Sequence, residues 1–246
     1  MISEPDSATS AQRAWRDAVL AFCVVGALVT GLVRININLP WIGHLGSALV
    51  SVLFLYVPLQ IAARRGEDLR DYGLRYEPVG RGLATAGIAI AVIVPLFALG
   101  FFAFYEVACK SELLSHLAPH RMCSHYGGLA TLHLPAIAAF EPTPPLRGTL
   151  SAEWCLVQWL VVGLPEELFF RGFMFSGLLK WGFWPAAALS ALMFALVHFD
   201  PGSLLPFFGI GVLMAWLYWR RGSLWDAIAF HFLFNALSFS ILVAIS

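Results

Sequence analysis

The chain has 246 residues, 59% of them apolar and 12% charged, with a formal net charge of zero and a mean hydropathy of +0.77. A soluble domain carries roughly a quarter of its residues as charges, so this balance argues against one. Zero net charge also gives no electrostatic basis for a nucleic-acid partner.

The composition predicts an all-α polytopic membrane protein, because helices and closed barrels alone satisfy every backbone group in hydrocarbon. Residues 1–14 (MISEPDSATSAQRA) read as a polar tail, and 15–246 as a single transmembrane domain. Apolar runs able to cross roughly 30 Å of hydrocarbon lie at 15–33, 45–63, 83–105, 153–178, 184–200, 204–219 and 224–245. About seven transmembrane helices are therefore expected. No A-x-A-like site follows the first run, so it does not read as a cleaved signal. With the N-terminus inside, Arg13, Arg16, Arg64, Arg65, Arg70, Arg75, Arg81, Lys180, Arg220 and Arg221 are cytoplasmic. Arg34, Lys110, Arg121 and Arg147 are then outside. This bias predicts a multi-pass protein of the bacterial plasma membrane, N-terminus cytoplasmic and C-terminus external.

The longest connection, 106–150, is then an external loop holding His116, His120, His125, His133 and the proline cluster EPTPPL. HLAPH lacks the glutamate of H-E-x-x-H, so these histidines are read as solvated rather than metal-binding. Cys109 and Cys123 are both on the oxidising side, where a disulfide between them is possible. Cys23 and Cys155 lie in apolar runs and read as small core residues.

The anomaly is GLPEELFFRG, 163–172, which puts Glu166, Glu167 and Arg171 in an apolar run. Ionisable groups at membrane depth are costly and mark a site or a buried partner. Pro165 is expected to kink the helix just before the glutamates. Glu167 and Arg171 are i and i+4, with the acid N-terminal, the better orientation for a helical pair. Glu166 is rotated by about 100° from Glu167 and free to face elsewhere. Two later runs carry matching polar groups: Phe194 and His198 in FALVHF, and His231 and Asn235 in HFLFN, each pair at i and i+4 on one helix face. A structural ion-pair network accounts for Glu167 and Arg171 but leaves one acid over. Two histidines, an asparagine and a glutamate in separate apolar segments point to an active site inside the bundle or a transport pathway.

The order E-E-x-x-x-R, F-x-x-x-H, H-x-x-x-N, each in its own hydrophobic segment, resembles the CPBP family of intramembrane proteases. That family takes in CAAX prenyl endopeptidases of the Rce1 type and bacteriocin-immunity-like and sorting-associated members. The resemblance covers a catalytic core at roughly 150–240. It implies an endopeptidase acting on a membrane-anchored protein or peptide, with the lipid bilayer as its medium and no cofactor. Glu166 and His198 would activate a water, and His231 and Asn235 would donate hydrogen bonds to the oxyanion. Glu167, Arg171 and Phe194 would support them, the first two by positioning Glu166. The depth of His198 favours a site opening outward, as a C-terminal sorting segment requires.

An alternative within the same resemblance is a zinc protease with Glu166, His198 and His231 as ligands. That leaves Asn235, a poor zinc ligand but a good oxyanion donor, without a task. A second alternative is a non-enzymatic immunity or scaffold protein of the same fold. A transporter is a third, weakened by the lack of matching interrupted halves. No G-x-S-x-G serine or G-x-G-D aspartate is present.

Overall fold

The computed structural model describes residues 16–17, 19–28, 31, 40–75, 79–111, 162–198 and 204–245. Among them every regular element is helical. After a helical stretch at 19–28 come α1 (Pro40–Arg65) and α2 (Val79–Lys110). The third, α3, is built in pieces: an α turn Leu164–Glu167, a π segment Leu168–Phe175, an α piece Ser176–Leu178 and a 3-10 turn Leu179–Trp181. Then follow α4 (Phe183–Leu196), α5 (Leu204–Arg221) and α6 (Leu224–Ile245).

Where the expected apolar runs fall on described residues they coincide with these helices, with three differences, and 153–161 of the fourth run lies outside the described residues. First, α2 continues to Lys110, so 106–110 is helix rather than loop. The reason is local: Lys110 and Glu106 pair at i,i+4, and a cation suits a helix C-terminus. Second, α4 stops at Leu196, and Val197 and His198 form a turn. Asp200 precedes Pro201, a step that disfavours helix. Third, α3 is not a regular helix bent at Pro165. Pro165 sits in the first turn of its short α piece, and π geometry flanks that piece on both sides, at 162–163 and over the eight residues Leu168–Phe175.

Among the described residues no helix is long and apolar enough to cross a membrane.

The core is centred on α3, whose residues Leu168–Phe175 are all buried. Phe54 of α1 packs on Phe169 and Phe170, with ring centroids 5.0 and 5.2 Å apart. A widened π turn leaves carbonyls poorly matched along the axis, and two hydroxyls meet them. Ser190 Oγ of α4 donates to Phe170 O at 2.7 Å, and Ser176 Oγ to Arg171 O at 3.2 Å. Against this centre α4 and α5 lie unusually close. A Cβ placed on Gly211 would be 2.8 Å from the Ala191 Cβ, the small-residue seam that lets helix backbones approach.

The α5–α6 corner is held by charge and by a glycine. Gly222 turns the chain at φ 64°, and Arg221 Nη1 bonds both oxygens of Asp226, at 3.1 and 3.2 Å. Leu224 N–H also donates to Gly73 O at 2.9 Å. Gly73 has φ +86°, and a Cβ there would fall 2.4 Å from the Tyr218 ring, so only glycine fits. These ties set the register of α6 and hence the height of His231. In the same connection Tyr72 donates to the Glu67 carboxylate. Burial, and then that bond, push the Tyr72 hydroxyl well above its ordinary range.

Candidate active site

Glu167, Arg171, Phe194, His198 and His231, five of the candidate side chains, meet where the π segment of α3 faces α4 and α6. Glu167 and Arg171 are wholly buried, and Arg171 Nη1 donates to Glu167 Oε1 at 3.0 Å. The same oxygen lies 2.8 Å from Nδ1 of His231, reached from α6. A carboxylate only accepts, so Nδ1 carries the proton and Nε2 is the nitrogen left for other partners. Glu167 Oε1 therefore joins Arg171 on its own helix to His231 on α6. Arg171 Nη2 also reaches the Gly211 carbonyl, at 3.4 Å.

Phe194 is the aromatic centre of the cluster. The Arg171 guanidinium lies 4.4 Å from its ring centroid, a cation–π distance. The rings of His198 and His231 meet it nearly edge-on, at 4.8 and 6.1 Å. His198 sits in the turn after α4, with Nδ1 2.7 Å from Phe194 O. A carbonyl only accepts, so Nδ1–H donates here too, and Nε2 is again the remaining nitrogen. Phe207 of α5 stacks on the His198 ring at 4.2 Å.

Glu166 stands apart from these bonds. Its Oε2 is buried without a hydrogen-bond partner, as are Glu167 Oε2 and Arg171 Nε. Among the described residues no hydrogen bond joins Glu166 to His198 or to any other side chain. Buried polar atoms are nearly always paired, and exceptions cluster at sites built to receive something. Asn235 is half-buried one turn beyond His231 on α6.

For zinc, the test is whether the ligand set gathers. Among the described residues no group of three or more His, Cys, Asp or Glu side chains could hold a metal ion. Glu166, His198 and His231 are all described, and no step is derived through zinc. The loop histidines and Cys123 lie outside the described residues. Cys109 is disulfide-bonded, with its partner also outside them. Cys23 is free and exposed rather than part of the core, since it lies on the outward face of its helix.

Sequence reasoning missed Gly211 and Phe207. Gly211 appears only as one glycine of FGIGV, and its role as acceptor for Arg171 spans |i−j| = 40. Phe207 is one phenylalanine among 20, and nothing in its neighbourhood marks it for His198.

No curated protein and no solved structure matches the chain. Residues 149–237 do match one family model, that of the Rce1-like type II CAAX prenyl endopeptidases. The matched stretch contains Glu166, Glu167, Arg171, His198, His231 and Asn235, the residues that carry the resemblance drawn from the motifs.

Proposed function

We propose that the chain is an intramembrane endopeptidase hydrolysing a peptide bond of a membrane-associated protein or C-terminal segment. The observation that carries the reading is the Rce1-like match over 149–237, the stretch that holds the buried carboxylate–imidazole cluster. Glu166 acts as general base, taking a proton from a water held between it and His198. The hydroxide adds to the scissile carbonyl, and the oxyanion is met by donors on His231 and Asn235. Collapse breaks the C–N bond, and the proton held by Glu166 passes to the departing amine. Glu167 holds His231 through Nδ1–H, so Nε2 donates to the oxyanion in the imidazolium form, in which both ring nitrogens carry protons.

The membrane placement is supported by an inverted distribution of side chains. Leu20, Val24 and Leu28 are exposed along one helix face, as are Ile88, Val92, Leu96 and Leu99 along α2, while Glu167, Arg171 and Asp226 are buried. Soluble monomers rarely expose apolar stripes of this kind. The positive residues favour an N-in, C-out orientation in a bacterial plasma membrane.

The test is cleavage by purified, reconstituted protein, with substrates found by comparing membrane-proteome C-termini in the presence and absence of the gene. Glu166→Gln and His198→Ala are expected to remain folded and inserted but to lose turnover. Substantial cleavage by both variants overturns the water-activation assignment. Absence of any processing difference in the proteome favours a non-enzymatic scaffold.

A further inference from the structure

From the end of α4 opposite His198, running along α5 as far as Gly209, an apolar groove lies between α2, α4 and α5. Its volume is about 450 Å³. Ile93 and Leu96 of α2 form one side, and Trp184 of α4 with Leu213 and Trp216 of α5 form the other. Trp184 is 72% exposed and Leu96 60% exposed, so the groove faces the surroundings of the protein rather than the buried carboxylates. Gly209 lines it and is exposed, and an added Cβ there would meet no atom within 4 Å.

Two cations crown this end. The Arg220 guanidinium lies 5.5 Å from the Trp216 ring centroid, and the Lys180 ammonium 5.3 Å from that of Trp181. Phe183, which follows Lys180 closely, packs on Trp219, next to Arg220, with centroids 4.9 Å apart. The start of α4 and the end of α5 therefore form one rim, apolar below and positively charged above.

We propose that this groove binds an anionic phospholipid, with one acyl chain along the apolar walls and the phosphate held by Arg220 and Lys180. Charge complementarity selects this occupant. A peptide would leave its backbone groups unpaired against apolar walls, which is costly, and a neutral lipid would make no use of the two cations. Tryptophan is favoured at the membrane interface, and basic pockets between helices on the cytoplasmic side bind anionic headgroups. The charge distribution assigns Lys180 and Arg220 to that side. The inference rests on the membrane placement proposed above and is independent of the cleavage reaction.

The experiment uses delipidated full-length protein carrying Glu166→Gln, so that proteolysis plays no part. It is titrated in neutral detergent with phosphatidylglycerol or with phosphatidylcholine of the same acyl chains, and bound lipid is counted by native mass spectrometry. Phosphatidylglycerol is expected to be retained over phosphatidylcholine. Adding Gly209→Leu fills the groove and is expected to lose both lipids. Arg220→Ala or Lys180→Ala is expected to lower phosphatidylglycerol retention by about fivefold each, with little effect on phosphatidylcholine. Equal retention of the two lipids by the parent protein overturns the proposal, as does full retention by the Gly209→Leu form. The two surface variants decide the matter should Gly209→Leu fail to fold. Failure of the membrane placement itself is read separately, as recovery of the protein in the soluble fraction.

Discussion

His231 Nδ1 lies 2.8 Å from Glu167 Oε1, across |i−j| = 64 in sequence, and both side chains are buried. Glu167 thus ties α6 to α3 at the height of the candidate site. The oxygen that accepts from His231 also accepts from Arg171. With His231 doubly protonated, the charges of Glu166, Glu167, Arg171 and His231 sum to zero, and Nε2–H becomes available as a donor.

That arrangement sets an expectation for the oxyanion donors. His231→Ala and Asn235→Ala should each reduce the cleavage rate by about 10²–10³-fold, the scale for losing one preorganised donor. Steady-state kinetics on reconstituted protein reads the effect. Activity should also survive exhaustive chelation, and restoration specifically by zinc would count against the general-base mechanism.

Arg171 is placed to matter for folding as well as turnover. Arg171→Ala leaves Glu167 buried without its cation, at a cost of about 3–5 kcal/mol. The measurement is a detergent-phase thermal melt, with yield of monodisperse protein as a second reading. Arg171→Lys should recover only part of the loss, because one ammonium cannot serve Glu167, the Gly211 carbonyl and the Phe194 face as the planar fork does. A normal melt for Arg171→Ala would mean that the residue reaches water.

Gly211 offers a steric test. Gly211→Ala brings a methyl to 2.8 Å from the Ala191 Cβ. Backbone lies behind both atoms, so the helices must part, at about 1–3 kcal/mol for overpacking. Pairing Gly211→Ala with Ala191→Gly removes only one of the two opposing carbons, because the Ala191 Cα stays 2.9 Å from the added methyl, so the double variant should recover little of the stability. Full recovery in the double variant would mean that the Ala191 Cβ alone sets the helix spacing.

The proposed partner of Cys109 is Cys123, closing a loop of about 15 residues worth roughly 3 kcal/mol in the chain-entropy estimate. In denaturing detergent, Cys23 should label without reduction and serve as the internal reference, being free. Cys109 should label only after reduction, or without it in Cys123→Ser. Continued protection of Cys109 in Cys123→Ser would assign the bridge to another cysteine.

Helix positions were legible because apolar run length reports directly on burial in helices. The run 224–245 coincides with α6, and 204–219 falls within Leu204–Arg221. The i,i+4 relation of Glu167 and Arg171 was likewise readable, since it is local. What could not be read was tertiary. The pairing of Glu167 with His231 depends on the α5–α6 corner and the Arg221–Asp226 bond, which set the height of α6. The π segment had no visible signal, because its residues are all buried and their bulk says nothing about hydrogen-bond register. His198 was assigned to a helix and instead follows its end, where Asp200–Pro201 outweighs apolar continuity.

The π segment Leu168–Phe175 acts as a phase shifter in the helix that carries the acids. Each residue of an α-helix turns the chain by about 100°, and a π turn accommodates an extra residue without lengthening the path in proportion. The two carboxylates therefore face an azimuth different from the one that a regular helix running back from Ser176 would give them. A single-residue deletion inside the segment would return it towards α geometry while keeping every charged side chain in the sequence. It would swing Glu166 and Glu167 around the axis, away from His231, so the site can be dismantled by a change in angular register alone.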